Sequence, residues 1–493
     1  MQPSLDGKYQ TAFADYCGFG LRDLPEHTAA FRCSIAKFTR PVNMIEYVGN
    51  GRNLFETFNL RVRSLQSGSK ALTLGDGHAS RRPGFSYGTP VAVMPFKLKN
   101  GALEMRVLIL GGDGYCGWPT ALRLSERGGT VAIVDNFSRR RIDLEQDIDS
   151  LIPIALPEER CAAWAETGGG PITFHKIDVA EDFDALANLV AEFRPDAVVH
   201  FAEQRSVPYS MMSSAAGRYT IRNNLMATIN IAAALVETGV DAHLVHLGSI
   251  GVYGYETLGY EVPEGYLKVR RVGPKGQLGP EQEMLHPFNP VSKYHLTKVL
   301  DHLGLAYFAA KNGLRATDLH QGTVWGVTTA ETRRDPRLAN RFDHDTIYGT
   351  VVNRFAVQAA LGKPISVYGS GEQTRGFIHI EDALQCIEGA LATPPRAGER
   401  VKVVNQISES RRILDLAHIF ADVSGSQIAM LESPRSEPEA NELAARNCAV
   451  FNFGVSPTLI NRESVAELID LARDRASAVD LAKLYPNDAA FAG

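Results

Sequence analysis

Between residues 105 and 406, short apolar runs alternate with stretches of helical spacing. The runs are Val107–Leu110, Thr130–Val134, Ile172–Ile177, Ala197–Ala202, Ala242–Gly248, Arg315–Gly326, Ile365–Tyr368 and Val401–Gln406. Most lack the in–out alternation of a half-exposed strand, so they read as strands buried on both faces. Helical spacing covers Thr120–Glu126, Tyr219–Leu235, the turn holding Tyr294 and Lys298, Thr350–Leu361 and the stretch from Glu381. Strand–helix alternation of this kind predicts an α/β chain built on a Rossmann-type, doubly wound parallel sheet. The pattern places the main domain at 105–325 and a smaller C-terminal domain at 326–480, interleaved with it. After 406 the chain reads as mainly helical, with an acid-rich turn near 432–442. Residues 255–290 carry glycines, prolines and Lys268, Arg270, Arg271 and Lys275, and are expected to form a long lid or interface loop. Residues 1–104 form an extra N-terminal segment. In it Val42–Phe58 could be helix or strand, and Ala71–Leu74 and Pro90–Phe96 could be short strands. A structural extension or a regulatory or oligomerisation module would fit this segment.

The first run leads into Gly111-Gly-Asp-Gly-Tyr-Cys-Gly117, and the second ends at Asp135. Strand, glycine turn, helix, strand and terminal acid form a dinucleotide fingerprint. Gly111, Gly114 and Gly117 let the backbone, with Tyr115 and Cys116, approach a pyrophosphate at a helix N-terminus. Asp135 is placed to accept from the adenosine ribose hydroxyls, which favours NAD over a 2′-phosphorylated cofactor. Asn136, Arg139 and Arg140 follow it within reach of the adenosine. Asp178 ends the third strand near the adenine, and Phe201 ends the fourth on the nicotinamide side.

Composition is ordinary, at 44% hydrophobic and 22% charged with a net charge of −5. That balance excludes a nucleic-acid binder relying on bulk positive charge. Cysteines 17, 33, 116, 161, 386 and 448 form no C-x-x-C pair and no metal-ligand spacing, so free thiols and no metal site are expected. No apolar stretch approaches the ~20 residues of a membrane span, and the start of the chain lacks a signal-peptide core. A cytoplasmic location is the expectation.

Tyr294 and Lys298, four apart, share one helix face. A neighbouring ammonium favours the phenolate and is expected to lower the tyrosine pKa, which would make Tyr294 a base for a hydroxyl group. Ser249, at the end of the fifth strand, can hold the same hydroxyl.

The glycine turn, Ser249 and Tyr294/Lys298 resemble the extended short-chain dehydrogenase/reductases, the NAD-dependent epimerase/dehydratase group. Within that group the chain resembles the UDP-sulfoquinovose synthase family of sulfolipid biosynthesis. Gly111–Trp118, Glu203–Met211, Tyr294–Lys298, Ala316–Gly322, Asn353–Gln358 and Gln373–Gly376 carry the likeness, which spans about 105–460. It implies bound NAD as a recycled oxidant acting on UDP-glucose, with sulfite as second substrate, and a homodimer. His295 becomes the second acid/base, and the 326–480 part the nucleotide-sugar site. Arg205 would attract sulfite or diphosphate, and Arg375 would clamp the diphosphate. Gln321 and Asn224 would position sugar and nicotinamide. Asn353, Arg354 and Gln373 would line the substrate site. The strand-five motif departs from that family, which carries Thr, Met and Glu before its Tyr-Gly. Ser249-Ile-Gly-Val-Tyr-Gly254 instead resembles the UDP-hexose 4-epimerases, so a 4-epimerase or dehydratase stays open. So does a catalytically silent binding protein, against which the intact Ser249, Tyr294 and Lys298 argue.

Overall fold

The computed structural model describes residues 98, 99, 102, 103, 105–257, 260–432 and 441–485. The elements anticipated at 42–58, 71–74 and 90–96 lie outside the described residues. By its contacts the chain divides into two units, residues 1–70 with 268–284, and residues 71–267 with 285–493. Described by itself, the 268–284 stretch is most of a two-stranded sheet, β6 (Tyr266–Val272) and β7 (Leu278–Leu285), where a loop was expected. The five-residue turn Gly273–Gln277 closes on itself, with the Gly273 N–H donating to the Gln277 carbonyl at 2.8 Å. Polar and apolar residues alternate through Tyr266–Val269, and this alternation is the strand signal that the glycines and prolines obscured.

The larger unit is built on a parallel sheet. Its strands are β1 (Arg106–Leu110), β2 (Thr130–Asp135), β3 (Ile172–Lys176), β4 (Ala197–His200), β5 (His243–Ser249), β8 (Arg315–Gln321) and β12 (Lys402–Gln406). Their spatial order is β12-β8-β5-β4-β1-β2-β3, and every neighbouring pair is parallel. Side chains alternate across it. Val107 and Ile109 face a core shared with Trp118, Leu122 and Trp164; Leu108 and Leu110 face one shared with Leu186, Ile231 and Leu305. The helices follow suit. On the first side lie α1 (Gly117–Glu126), α3 (Pro157–Glu166) and α9 (Ile380–Ala392). On the other lie α4 (Phe183–Phe193), α6 (Ser214–Thr238) and α7 (Lys293–Asn312). Each fully buried aliphatic chain contributes about 1.5–3 kcal/mol, so both faces are fixed, and with them the register.

The chain direction reverses its order beside β1, which leaves a crevice at the carboxyl ends of β1 and β4. A second core, with Trp325, Phe355, Phe377, Phe420 and Leu468, lies among α8 (Val351–Ala360), α10 (Ile413–Ser424) and α12 (Arg462–Arg473). The stretch 315–326 divides between the large sheet and β9 (Thr323–Trp325), which pairs with β11 (Thr374–His379). The stretch 369–377, whose glycines favour a loop, is strand from Thr374 onward. Two further strands, β13 (Glu409–Arg412) and β14 (Ile428–Leu431), interrupt the expected helical tail. β12 returns from this second core to the edge of the large sheet, so the two parts are interleaved in sequence.

Candidate active site

The site forms where the carboxyl ends of the central strands meet the N-termini of their helices. At the first, β1 passes through the glycine turn into α1. A Cβ on Gly117 would lie 2.1 Å from the Gly111 carbonyl oxygen, so only glycine lets the helix start this close to the strand. No side chain caps α1, which leaves its N-terminus facing the crevice as an anion site. Asp135 closes β2 and accepts from the Asp113 N–H (3.0 Å) and the Phe137 N–H (2.9 Å). Burial first, then Asp113, pushes its carboxyl up to about 6. Gly111, Gly114, Asp135, Asn136, Arg139, Asp178 and Phe201 line one cleft of about 530 Å³. This strand–turn–helix cradle with its terminal carboxylate fits NAD.

A second cleft, of about 780 Å³, shares Gly114, Arg139, Phe201 and Glu203 with the first and continues to Tyr115, Cys116, Arg205, Tyr294, Lys298 and Gln321. The Ser292 hydroxyl caps α7 by accepting from the His295 N–H at 3.0 Å. This cap sets the first turn so that Tyr294 and Lys298 face β5. Ser249, at the end of β5, sits close enough to the Tyr294 hydroxyl to draw its pKa down. The Lys298 ammonium lies 5.8 Å from the Tyr294 ring centre, donates to the Leu247 carbonyl at 2.6 Å and pairs with Glu203. The structure thus brings Ser249, Tyr294 and Lys298 together.

One electrostatic expectation is corrected. The Tyr294 pKa lies above its ordinary value, because burial outweighs the lowering by Lys298, and Glu203 adds to the rise. The lysine's charge is largely spent on Glu203. His295 is buried, 5.3 Å from the Tyr294 ring and 6.0 Å from that of Tyr255. Burial, then Arg375, brings its pKa down to about 4, so it is neutral near pH 7. Arg375 stacks over Tyr255 at 4.2 Å and donates to Asn441 at 2.7 Å.

Other expected residues are placed differently. Arg140 turns away from both clefts to Asp113 (2.6 and 2.9 Å) and the carbonyls of Ile154 and Ala155, because the buried Asp113 needs a counter-charge. Asn224 is fully buried and lines neither cleft. Its amide is used up by the Gln204 backbone and Thr297, and its neighbour Asn223 lines the cofactor cleft instead. Arg139 stacks on Tyr348 at 3.6 Å and pairs with Asp343, which also binds Arg205 at 2.6 Å. Gln321 donates to Gln406 at 2.8 Å at the cleft wall. Outside the cleft walls, Asn353 donates to the Asp343 carbonyl, Arg354 to Tyr368 and the Leu484 carbonyl, and Gln373 to the Tyr368 carbonyl.

Three residues escaped the sequence reading. Asp113 sits at a variable position of the glycine motif, where nothing marks it as buried. Glu203 and His246 act through partners on other strands. A signal existed for the last: a strand buried on both faces that carries His243 and His246 must satisfy them internally.

Residues 107–405 match the model of the NAD dependent epimerase/dehydratase family. The chain is 40% identical over 388 residues to the chloroplastic UDP-sulfoquinovose synthase of Spinacia oleracea, covering 78% of each. It is 39% identical over 359 residues to the UDP-sulfoquinovose synthase of Sulfolobus acidocaldarius, covering 72% of this chain and 88% of that one. A solved UDP-glucuronic acid 4-epimerase of Bacillus cereus, in complex with UDP-glucuronic acid and NAD, shares the fold. Its TM-score is 0.54 and its identity 20%, over 76% of this chain and 99% of that one. Among the described residues no helix is long and apolar enough to cross a membrane.

Proposed function

The chain belongs to the NAD dependent epimerase/dehydratase family and, within it, to the UDP-sulfoquinovose synthases, and from that premise we propose that it converts UDP-glucose and sulfite into UDP-sulfoquinovose. The observation that carries the reading is that Tyr294 and Lys298, with Ser249 beside Tyr294, line a cleft sharing residues with the Asp135 cradle. NAD held by the glycine turn and Asp135 would supply a reversible hydride acceptor for C4 of the glucose.

Tyr294 is the base for the C4 hydroxyl proton, Ser249 holds that hydroxyl, and Lys298 supplies positive charge beneath the phenol. The C4 ketone acidifies the C5 proton. His295, neutral near pH 7, removes it, and the C6 hydroxyl leaves as water with a proton returned to it. Sulfite adds to the resulting C5–C6 enone at C6, and C5 regains a proton. Arg205, at the cleft wall, is the counter-charge for sulfite or diphosphate, and Arg375 for the diphosphate. The part of the chain after 326 holds the nucleotide, and the assembly is a homodimer.

A 4-epimerase is the second reading, favoured by one observation. Val252 is fully buried among Ile250, Tyr253 and Val262, and its side chain offers no acid for the elimination.

Purified protein incubated with UDP-glucose, with and without sulfite, distinguishes the two by mass spectrometry. The proposal expects a sulfite-dependent UDP-sugar sulfonate; UDP-galactose as sole product sinks it. Tyr294→Phe should lose about 10²–10⁴-fold in turnover with an unchanged circular dichroism spectrum, and near-normal turnover would remove Tyr294 from its role. Sedimentation as a monomer would remove the dimer.

A further inference from the structure

Beneath the catalytic pair lies a buried polar layer that the reaction scheme does not use. Glu203, just beyond β4, pairs with Lys298 and accepts from His246 Nε2 at 3.0 Å. The other ring nitrogen of His246, Nδ1, lies 2.9 Å from Asp318 on β8. The second oxygen of Asp318 meets His302 Nδ1 at 2.7 Å and His320 Nε2 at 3.1 Å. His320 Nδ1 then reaches the Tyr253 hydroxyl at 2.8 Å, which also meets Asn405. His246, Asp301, His302, Asp318 and His320 have no measurable exposure.

A carboxylate only accepts hydrogen bonds, so an imidazole held between two of them must donate from both nitrogens and carry a proton. His246 is therefore a fixed cation behind Glu203, as Lys298 is in front of it. Burial resists the charge on Glu203, yet Lys298 first and then His246 hold its carboxyl below the usual carboxylate range. Burial likewise resists the charge on His246, and Asp318 overrides it, raising His246 to about 9. Asp301 completes the surroundings of Lys298 and His246. Neither of its oxygens has a hydrogen-bond partner, and burial first, then Glu203, pushes its carboxyl well above the usual carboxylate range. Carboxylates and imidazoles this close, within 4.8 Å in each of two groups, would also suit a metal. Here Lys298 and the ring protons already supply the positive charge.

We infer that Glu203, backed by the His246–Asp318 pair, is the positioning residue for Lys298: it fixes the ammonium beneath Tyr294 and meters how much of its charge the phenol feels. Without Glu203 the ammonium would act on Tyr294 undiluted and could swing from its place. Other groups facing Tyr294 are Ser249 from β5, Ser210 from α5 (Val207–Met212), Arg205 and the adjacent His295. Those facing Lys298 are Glu203, Asp301, His246 and the Leu247 carbonyl. The inference rests on Tyr294 being the catalytic base, but not on which sugar is the substrate.

The test is a tyrosinate absorbance titration of the NAD-loaded enzyme, with the Tyr294→Phe protein subtracted to isolate Tyr294. In Glu203→Gln the Tyr294 midpoint should fall by about one unit or more, because a like charge is gone and the ammonium is unbalanced. The rising limb of the pH–turnover profile should move with it, and Glu203→Asp should restore the midpoint while kcat stays reduced at unchanged KM. Asp318→Asn should shift Tyr294 the other way by less, since His246 loses its proton and Glu203 its rear cation. An unmoved midpoint in Glu203→Gln, or a shift of the same sign in both variants, overturns the inference. Should Glu203→Gln fail to fold, an unmoved or lowered midpoint in Asp318→Asn overturns it alone. The titration needs no substrate, so absence of sulfonate product would defeat only the proposed function.

Discussion

The cofactor end and the layer beneath Lys298 both hold buried ion pairs, yet they are built from different materials. Around the glycine turn, Asp113 is held by Arg140 (2.6 Å) and by Arg160 (3.0 Å), whose side chain is 1% exposed. Guanidinium groups carry their charge in the folded and the unfolded chain alike near neutral pH. Folding changes no protonation state of these arginines near neutral pH, although Asp135 beside them, pushed up to about 6, titrates. Beneath Lys298 the partners are imidazoles and carboxylates, and His246 gains a proton on folding. The lesson is that the ion pairs of Asp113 are fixed by cations that keep their charge, whereas the counter-charge beneath Lys298 comes in part from a cation that titrates.

Asp113→Asn attacks the first half of that contrast and should have the largest effect. Arg160 would be left in the interior without its counter-charge, a loss of about 3–5 kcal/mol, read by denaturant unfolding. A change near zero would mean the glycine backbone alone holds the turn.

The second half is tested by pH. His246 titrates near 6.5 when unfolded and about 9 when folded. A raised pKa contributes stability that is fully present below 6.5 and is lost as pH rises through 9. Unfolding free energy should therefore decline over that window, and His246→Gln should flatten the decline at a lower overall stability. His200, 5.7 Å away, is held neutral by burial and brought down to about 3, so its effect appears only on the acid side. An identical slope in wild type and His246→Gln would show that the layer is as inert as the ion pairs of Asp113.

The smallest effect is the baseline for both. Glu126 and Arg334 form an exposed pair at 2.7 Å. Glu126→Gln should change stability by less than about 1 kcal/mol and leave the pH slope untouched. A larger change would mean that burial is not what separates the two regions from the surface.

The same contrast explains what the sequence disclosed. The glycine turn, Asp135 and the Tyr294–Lys298 pair are legible because each depends on spacing within one element or across one strand–helix–strand unit. The strands of the large sheet are legible as short runs of apolar residues; their spatial order is not. Glu203 just beyond β4, His246 on β5 and Asp318 on β8 lie far apart in sequence, and only pairing β5 with β4 and β8 brings them together. Arg140 and Asn224 lie beside the motifs yet are taken up by buried neighbours, because proximity to a motif says nothing about which way a side chain turns. The β6–β7 pair was missed because glycine and proline at its turn looked like loop throughout.

Gly251 offers a last consequence, one for the path of mutation rather than for the reaction. Its N–H is tied to Ser249 at 3.2 Å. A Cβ there would sit 2.2 Å from the His295 ring. Any side chain at 251 must therefore displace the His295 ring. The constraint runs one way: position 251 stays glycine for as long as His295 keeps its place, although the two are 44 positions apart in the chain. An engineer wishing to place a side chain at 251 must first shrink or move His295.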